Sequence, residues 1–147
     1  MSANPVTILL AEDDPDDQYL INEALDESQL NARLYVVSDG EELLDYLKRQ
    51  GKYQDSQKWP MPNLILLDLN MPLKDGREAL REIKADPAFQ HIPVIALTTS
   101  QAEKDVVDTY QNGVSGFITK PVEFSGLREV MKTIGLYWLN TARLPPD

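Results

Sequence analysis

Short apolar runs in this chain repeatedly stop at a polar tip. Ile8-Leu9-Leu10-Ala11 leads into Glu12-Asp13-Asp14, and Leu64-Ile65-Leu66-Leu67 into Asp68. Val94-Ile95-Ala96-Leu97 leads into Thr98-Thr99-Ser100, and Gly116-Phe117-Ile118-Thr119 into Lys120-Pro121. Runs this short, without polar alternation, suit strands buried on both faces of a parallel sheet. A carboxylate at the end of a buried strand is an expensive place for charge. If the strands lie parallel in one sheet, acids, a hydroxyl and an ammonium converge at one edge. That set is suited to holding a divalent metal and a phosphoryl group.

The segments between these runs read as helices. Asp14-Pro15 has the form of an N-cap and first helical residue, opening a helix to residue 27 with Tyr19, Leu20, Ala24 and Leu25 inward. A second strand over 34–37 ends in the turn Ser38-Asp39-Gly40, and a helix over 41–49 follows with Leu43, Leu44 and Leu47 on one face. Residues 50–62 are polar, contain Gly51, Pro60 and Pro62, and carry Tyr53 and Trp59. A loop of this length inside a domain is often functional. A strand over 64–68, a turn over 70–76 and a helix over 77–85 with Leu80 and Ile83 inward come next.

Ser100-Gln101-Ala102-Glu103 has the spacing of a capping box. It predicts a helix with Ala102, Val106, Val107 and Tyr110, closed by Asn112-Gly113. The last helix is expected over 122–139, with Leu127, Val130, Met131, Ile134 and Trp138 at spacings of three and four, and a loose tail over 140–147. Strand and helix thus alternate five times, which implies a doubly wound α/β domain: a five-stranded parallel sheet, (βα)5, with helices on both faces. Ligands of such sheets bind beyond the carboxyl ends of the strands, where the strand order switches. A single domain over 1–147 is expected, with its core over 6–139 and no output domain.

Composition narrows the function. The 147 residues are enough for one domain with a proper core. The net charge of −10, from 14 basic and 24 acidic residues, argues against a nucleic-acid surface and against docking on anionic membranes. No cysteine is present, which excludes disulfides and thiolate chemistry and fits a cytoplasmic protein. The first residues lack the basic start and apolar stretch of a signal peptide, and no apolar run approaches the ~18 residues of a membrane span.

Glu12, Asp13 and Asp68 at one sheet edge would repel each other, and a bound cation resolves this. Magnesium prefers hard oxygen ligands: Asp13 and Asp68 could each supply one, the backbone carbonyl of Asn70 a third, and Glu12 could hold a metal-bound water. With no cysteine and one histidine, zinc is poorly served. An aspartate can attack phosphorus to form an acyl phosphate. The metal, Lys120 and the Thr98 hydroxyl would offset charge on the phosphoryl oxygens. Pro121 favours an extended or cis arrangement that aims Lys120 over the sheet edge. Singly, these features have plainer readings as helix caps, dipole compensation or turn residues; it is their order on successive units that singles them out. His91, alone in a loop, reads as structural or solvated, so the phosphoryl group must come from another molecule.

Leu10-Ala11-Glu12-Asp13-Asp14, Leu67-Asp68-Leu69-Asn70-Met71-Pro72 with Asp75-Gly76, Leu97-Thr98, and Gly116-Phe117-Ile118-Thr119-Lys120-Pro121 together resemble the receiver domain of two-component response regulators. The resemblance implies a flavodoxin-like receiver fold, magnesium (with manganese as a substitute) and phosphorylation of Asp68 by a phosphohistidine on a sensor histidine kinase. It makes Glu12 and Asp13 the acidic pair, Thr98 the switch hydroxyl, Lys120 the phosphoryl-binding lysine and Phe117 the switch aromatic. The long loop, the Leu97-Thr98-Thr99-Ser100 run and the lack of an output domain are similar to stand-alone regulators paired with phytochrome-type kinases. That likeness implies a homodimer through the last helices and strands, and an unidentified downstream protein. Phe117 has no hydroxyl, so it can switch only by packing. The β-branched Thr99 is expected to hinder water and lengthen the life of the phosphoryl group. The rival readings are an aspartyl phosphatase or phosphotransferase, disfavoured by Asn70 where a second acid is wanted, a flavin- or nucleotide-binding module, and an interaction module that is never phosphorylated.

Overall fold

Strands and helices alternate along the chain in the computed structural model, which describes residues 5–139 and 144–145. β1 (Val6–Ala11) leads to α1 (Pro15–Glu27), β2 (Ala32–Val37) to α2 (Gly40–Lys48), and β3 (Leu64–Leu67) to α3 (Gly76–Ala85). β4 (Val94–Thr98) leads to α4 (Glu103–Gln111) and β5 (Gly116–Thr119) to α5 (Phe124–Ile134). The strands pair in parallel in the order β2-β1-β3-β4-β5. β3 and β4 are buried at every residue, which is why they read as unbroken apolar runs. The order reverses between β1 and β3, opening a crevice beyond the carboxyl ends of these two strands.

Successive strand residues alternate between two cores. On one face Leu9, Ile65, Leu67 and Ala96 meet Leu43 and Leu47 of α2 and Leu80 and Ile83 of α3. On the other, Ile8, Leu10, Leu66 and Ile95 meet Ile21 and Leu25 of α1 and Leu127, Met131 and Ile134 of α5.

The 50–62 segment closes the first core rather than hanging free. It contains a 3-10 turn, Gly51–Gln54, and its Tyr53 and Trp59 pack with Tyr46, each ring pair 5.0–6.1 Å apart. The Tyr46 hydroxyl donates to the Pro60 carbonyl at 2.6 Å, the Tyr53 hydroxyl to the Glu42 carboxylate at 2.5 Å, and the Arg49 guanidinium to the Trp59 carbonyl.

Several elements depart from the sequence expectation. β2 starts at Ala32, two residues early, because it continues its pairing with β1 down to Val6. On α1, Tyr19 is 63% exposed and Ile21 takes the inward place, since Ile21, Ala24 and Leu25 share one face at helical spacing. Ser100 does not open a capping box: α4 begins at Glu103 after the extended Ala102, and the Ser100 hydroxyl donates to Asp105 instead. Ala102, Val107 and Tyr110 face solvent, and Thr109 is the buried residue of α4.

The last helix starts at Phe124 rather than residue 122 and ends at Ile134, where a π-helical turn, Gly135–Leu139, continues it. The Leu30 side chain packs directly on Gly135, and a Cβ there would require the leucine tip to shift. Trp138 and Leu139 pack on the second core, while Tyr137 is half exposed. Of the expected tail, residues 140–143 and 146–147 lie outside the described residues, and Leu144 and Pro145 are half-buried, Pro145 beside His91 and Pro93.

Candidate phosphoryl and metal site

The sheet ladder runs one residue past the strand ends and sets the site. The Glu12 amide donates to the Val37 carbonyl, the Asp68 amide to the Ala11 carbonyl and the Lys120 amide to the Thr98 carbonyl, at 3.0, 3.0 and 2.7 Å. Glu12, Asp68, Thr98 and Lys120 are therefore placed side by side by backbone pairing alone. The turn after Asp68 folds back closely: the Gly76 amide donates to the Leu69 carbonyl at 3.0 Å, and a Cβ on Gly76 would stand 2.2 Å from the Asp68 carbonyl oxygen. No other residue type fits there.

Asp68 is 5% exposed, and both its oxygens are engaged. Oδ1 accepts from the Thr98 hydroxyl at 2.8 Å and from the Asn70 amide at 3.0 Å. Oδ2 faces the Lys120 ammonium at 3.3 Å. Lys120 also bonds Glu12 Oε1, and reaches Asp17 Oδ2 at 2.8 Å. The Lys120–Pro121 bond is trans, not cis; the extended backbone before proline suffices to aim the lysine. Phe117, opposite Ala96 on β5, is half-buried against the first core.

Carboxylate oxygens of Glu12, Asp13 and Asp68 lie within 4.8 Å of one another. Glu12, Asp17 and Asp68 share the Lys120 ammonium, and Asp13 lies beside Glu12 and Asp68. Burial raises the Glu12 carboxyl to about 7, although the Lys120 hydrogen bond opposes the rise. Burial alone would lower the Lys120 ammonium, but hydrogen bonds to Asp17 and Glu12 and the charge of Asp68 overrule it and push it up.

This donor set fits a small divalent cation: hard oxygens, close spacing and an excess of negative charge. Glu12 uses Oε1 for Lys120 and Oε2 to accept the Asp14 amide at 3.1 Å. Asp13 is exposed at the mouth of the cluster and free to ligate directly, Asp68 would exchange part of its present bonding for the cation, and Asn70 is exposed at the rim.

The structure brings Glu12, Asp13, Asp68, Asn70, Thr98 and Lys120 to one sheet edge, and sets beside them two residues that the sequence did not single out. Asp17 sits in the first turn of α1, where an acid reads as dipole compensation; only the return of β5 brings Lys120 to it. Arg77 spans the Leu69 carbonyl at 3.2 Å and Asp105 at 2.6 Å, joining α3 to α4. No local spacing links residues so far apart in the chain.

Comparison with known proteins agrees with this geometry. The family model for the response regulator receiver domain matches residues 8–132. The response regulator Rcp1 of Synechocystis sp. is 43% identical over 141 residues, covering 96% of this chain and 94% of that protein. A crystal structure of the Mn(2+)-bound form of Rcp1 superposes with a TM-score of 0.88 at 42% identity, covering 97% of this chain and 100% of that one. The phosphorylated cyanobacterial phytochrome response regulator RcpA superposes with a TM-score of 0.90 at 44% identity, covering 97% and 99%. The receiver domain of the sensor histidine kinase PA1611 from Pseudomonas aeruginosa, solved with magnesium in its active-site cleft, has a TM-score of 0.67 at 29% identity, covering 88% and 96%. A family model matching residues 8–132 and a relative 43% identical over nearly the whole of both chains place the chain in the response regulator receiver domain family.

Proposed function

We propose that this protein is a single-domain response regulator that accepts a phosphoryl group on Asp68 from a phosphohistidine of a sensor histidine kinase. The observation that carries the reading is the environment of Asp68: a buried carboxylate with the Thr98 hydroxyl on one oxygen, the Lys120 ammonium near the other, and the Glu12 and Asp13 carboxylates beside it. One Asp68 oxygen attacks phosphorus, an O–P bond forms, and the N–P bond breaks with its electron pair going to the imidazole nitrogen. Lys120 is placed to hold one phosphoryl oxygen, and the Thr98 hydroxyl exchanges its bond to Asp68 for a bond to another. Asp13, Asp68 and the Asn70 carbonyl would hold magnesium or manganese, with Glu12 supporting the cation from beside them. When bound, that cation supplies positive charge against the carboxylates and the phosphoryl oxygens.

Because Thr98 is already turned to Asp68, the switch is a change of bonding partner followed by repacking of Phe117, a shift between two packings. The readout is a protein contact or a homodimer through α4, β5 and α5. The exposed Val107 and Tyr110 and the fully exposed Val122 support such a surface. A phytochrome-type kinase is the proposed donor class, supported by the likeness to RcpA over nearly the whole chain. The protein acts as a phosphoacceptor in signalling and does not turn over small phosphate esters.

The test is incubation with acetyl phosphate and magnesium followed by intact mass and size-exclusion chromatography. A gain of one phosphoryl group, lost in Asp68→Asn, is expected; equal labelling of the parent and Asp68→Asn would overturn the reading.

A further inference from the structure

α4 is lightly anchored to the domain. It has no side-chain N-cap, and Thr109 is its single buried residue, whereas α3 buries Gly76, Ala79, Leu80 and Ile83. The side-chain link from α3 to its first turn is one ion pair. Arg77 donates through Nε to Asp105 Oδ1 at 2.7 Å and through Nη2 to Asp105 Oδ2 at 2.6 Å, a two-pronged arrangement that fixes direction as well as distance. The same guanidinium donates to the Leu69 carbonyl at 3.2 Å and lies 3.4 Å from Asn70 Oδ1. Asp105 Oδ2 also accepts from the Ser100 hydroxyl at 2.5 Å, and the Ser100 amide lies 3.4 Å from Thr98 Oγ1.

From this geometry we infer that Arg77 is a positioning residue that couples the phosphoryl site to α4. The inference rests on Asp68 being the phosphoacceptor. One group contacts both residues that follow Asp68, and through Asp105 and Ser100 it contacts the chain leaving Thr98. A rearrangement at either place displaces a foot of the same rigid fork, and α4 has little else to keep it in position. Asp105 is held near pKa 2, first by the Arg77 hydrogen bond and then by Ser100, so the pair stays charged across the physiological range. The exposed Val107 and Tyr110 ride on α4, so the pair controls the presentation of an apolar surface.

Hydrogen exchange of the α4 amides, with and without acetyl phosphate and magnesium, tests the coupling when intact mass is recorded on the same samples. In the parent, modification is expected to change α4 exchange severalfold. In Arg77→Ala, Asp68 is still modified, α4 amides exchange at least fivefold faster, and the difference between the two states disappears, while α1 and α3 keep the parent rates. Asp105→Ala behaves the same way, and the double variant is no worse than either single one. Arg77→Lys, which keeps the charge without the fork, recovers less than half of the response. An α4 response in Arg77→Ala equal to the parent's, or single effects that simply add in the double variant, overturns the proposal. Absence of modification in the parent overturns the Asp68 reading itself, and the mass record separates that failure from this one.

Discussion

Two polar clusters are buried against the same sheet, and they are held by opposite means. Beyond β1 and β3, Glu12, Asp68 and Lys120 are buried as charged or chargeable groups, with more carboxylates than cations. Beside α2, Tyr46 and Tyr53 are buried as neutral phenols, their ionisation suppressed first by burial and, for Tyr53, further by Glu42. Each phenol is finished by one acceptor, Pro60 carbonyl or Glu42 carboxylate. A neutral group satisfied by one hydrogen bond adds ~1 kcal/mol and asks for nothing more. A carboxylate cluster with surplus charge is left incomplete by its own protein, and that incompleteness is the capacity to bind a cation and then a phosphoryl group. The 50–62 loop, whose length invites a functional reading, lies with the neutral cluster, where the Trp59 indole N–H is the one buried side-chain polar atom left without a partner among the described residues.

The sharpest way to break this contrast is to exchange the reactive carboxylate. Asp68→Asn should abolish labelling by acetyl phosphate, a loss above ~1,000-fold as for removal of a nucleophile, while Tyr53→Phe should label at the parent rate; autoradiography or intact mass reads both. Lys120→Met should slow labelling about 100-fold, as for loss of one charge-stabilising donor. In chelator it should also cost ~3 kcal/mol in urea unfolding, because it strips the partner from buried carboxylates. If Lys120→Met proved as benign to stability as a phenol truncation, the two clusters would not differ in kind.

The pH dependence follows from Glu12, whose carboxyl goes from the ordinary 4.5 to about 7 on folding. Between these values the folded state holds a proton that the unfolded state has released. The contribution is therefore full below about 4.5 and is lost as the pH rises through about 7. In chelator, the stability of the parent relative to Glu12→Gln should fall by about 3 kcal/mol across that window; a flat difference would contradict the assignment. Saturating magnesium should stabilise the parent by ~2.7 kcal/mol at a hundredfold excess over its dissociation constant, and Asp13→Ala should remove most of that gain at the same concentration.

The smallest effects lie at the margins of each cluster. Thr99 is exposed next to Thr98, and Thr99→Ala should shorten the acyl-phosphate half-life about threefold to tenfold, on the order of 1 kcal/mol in barrier, by admitting water. A half-life unchanged or lengthened would show that Thr99 gives no shielding. Tyr46→Phe should cost ~1 kcal/mol in thermal or urea unfolding with labelling unaffected.

Much of this molecule was legible before any coordinates. Fully apolar runs of strand length, separated by helical periodicity, allow little besides a parallel α/β sheet, and their polar ends then share one edge. That reasoning pointed to Glu12, Asp13, Asp68, Thr98 and Lys120 because each lies at, or within two residues of, the end of an apolar run, which is local information. It failed where partners come from distant elements. Ser100 has the spacing of a capping residue, yet Asp105, pinned by Arg77 from another helix, captures its hydroxyl. Tyr19 looks like core by composition, but the helical face is decided by Ile21, Ala24 and Leu25.

The order of residues along the chain determined the alternation of strands and helices, the burial of the interior strands and the gathering of acids, alcohol and amine at one sheet edge, because hydrophobic period and strand polarity are properties of neighbouring residues. Only the tertiary structure decided that Lys120 divides itself among Glu12, Asp17 and Asp68, that the long loop closes an aromatic cluster, and that Arg77 of α3 pairs with Asp105 of α4. Those outcomes depend on which distant groups compete for the same few donors, and that competition is settled only once the sheet has closed around them.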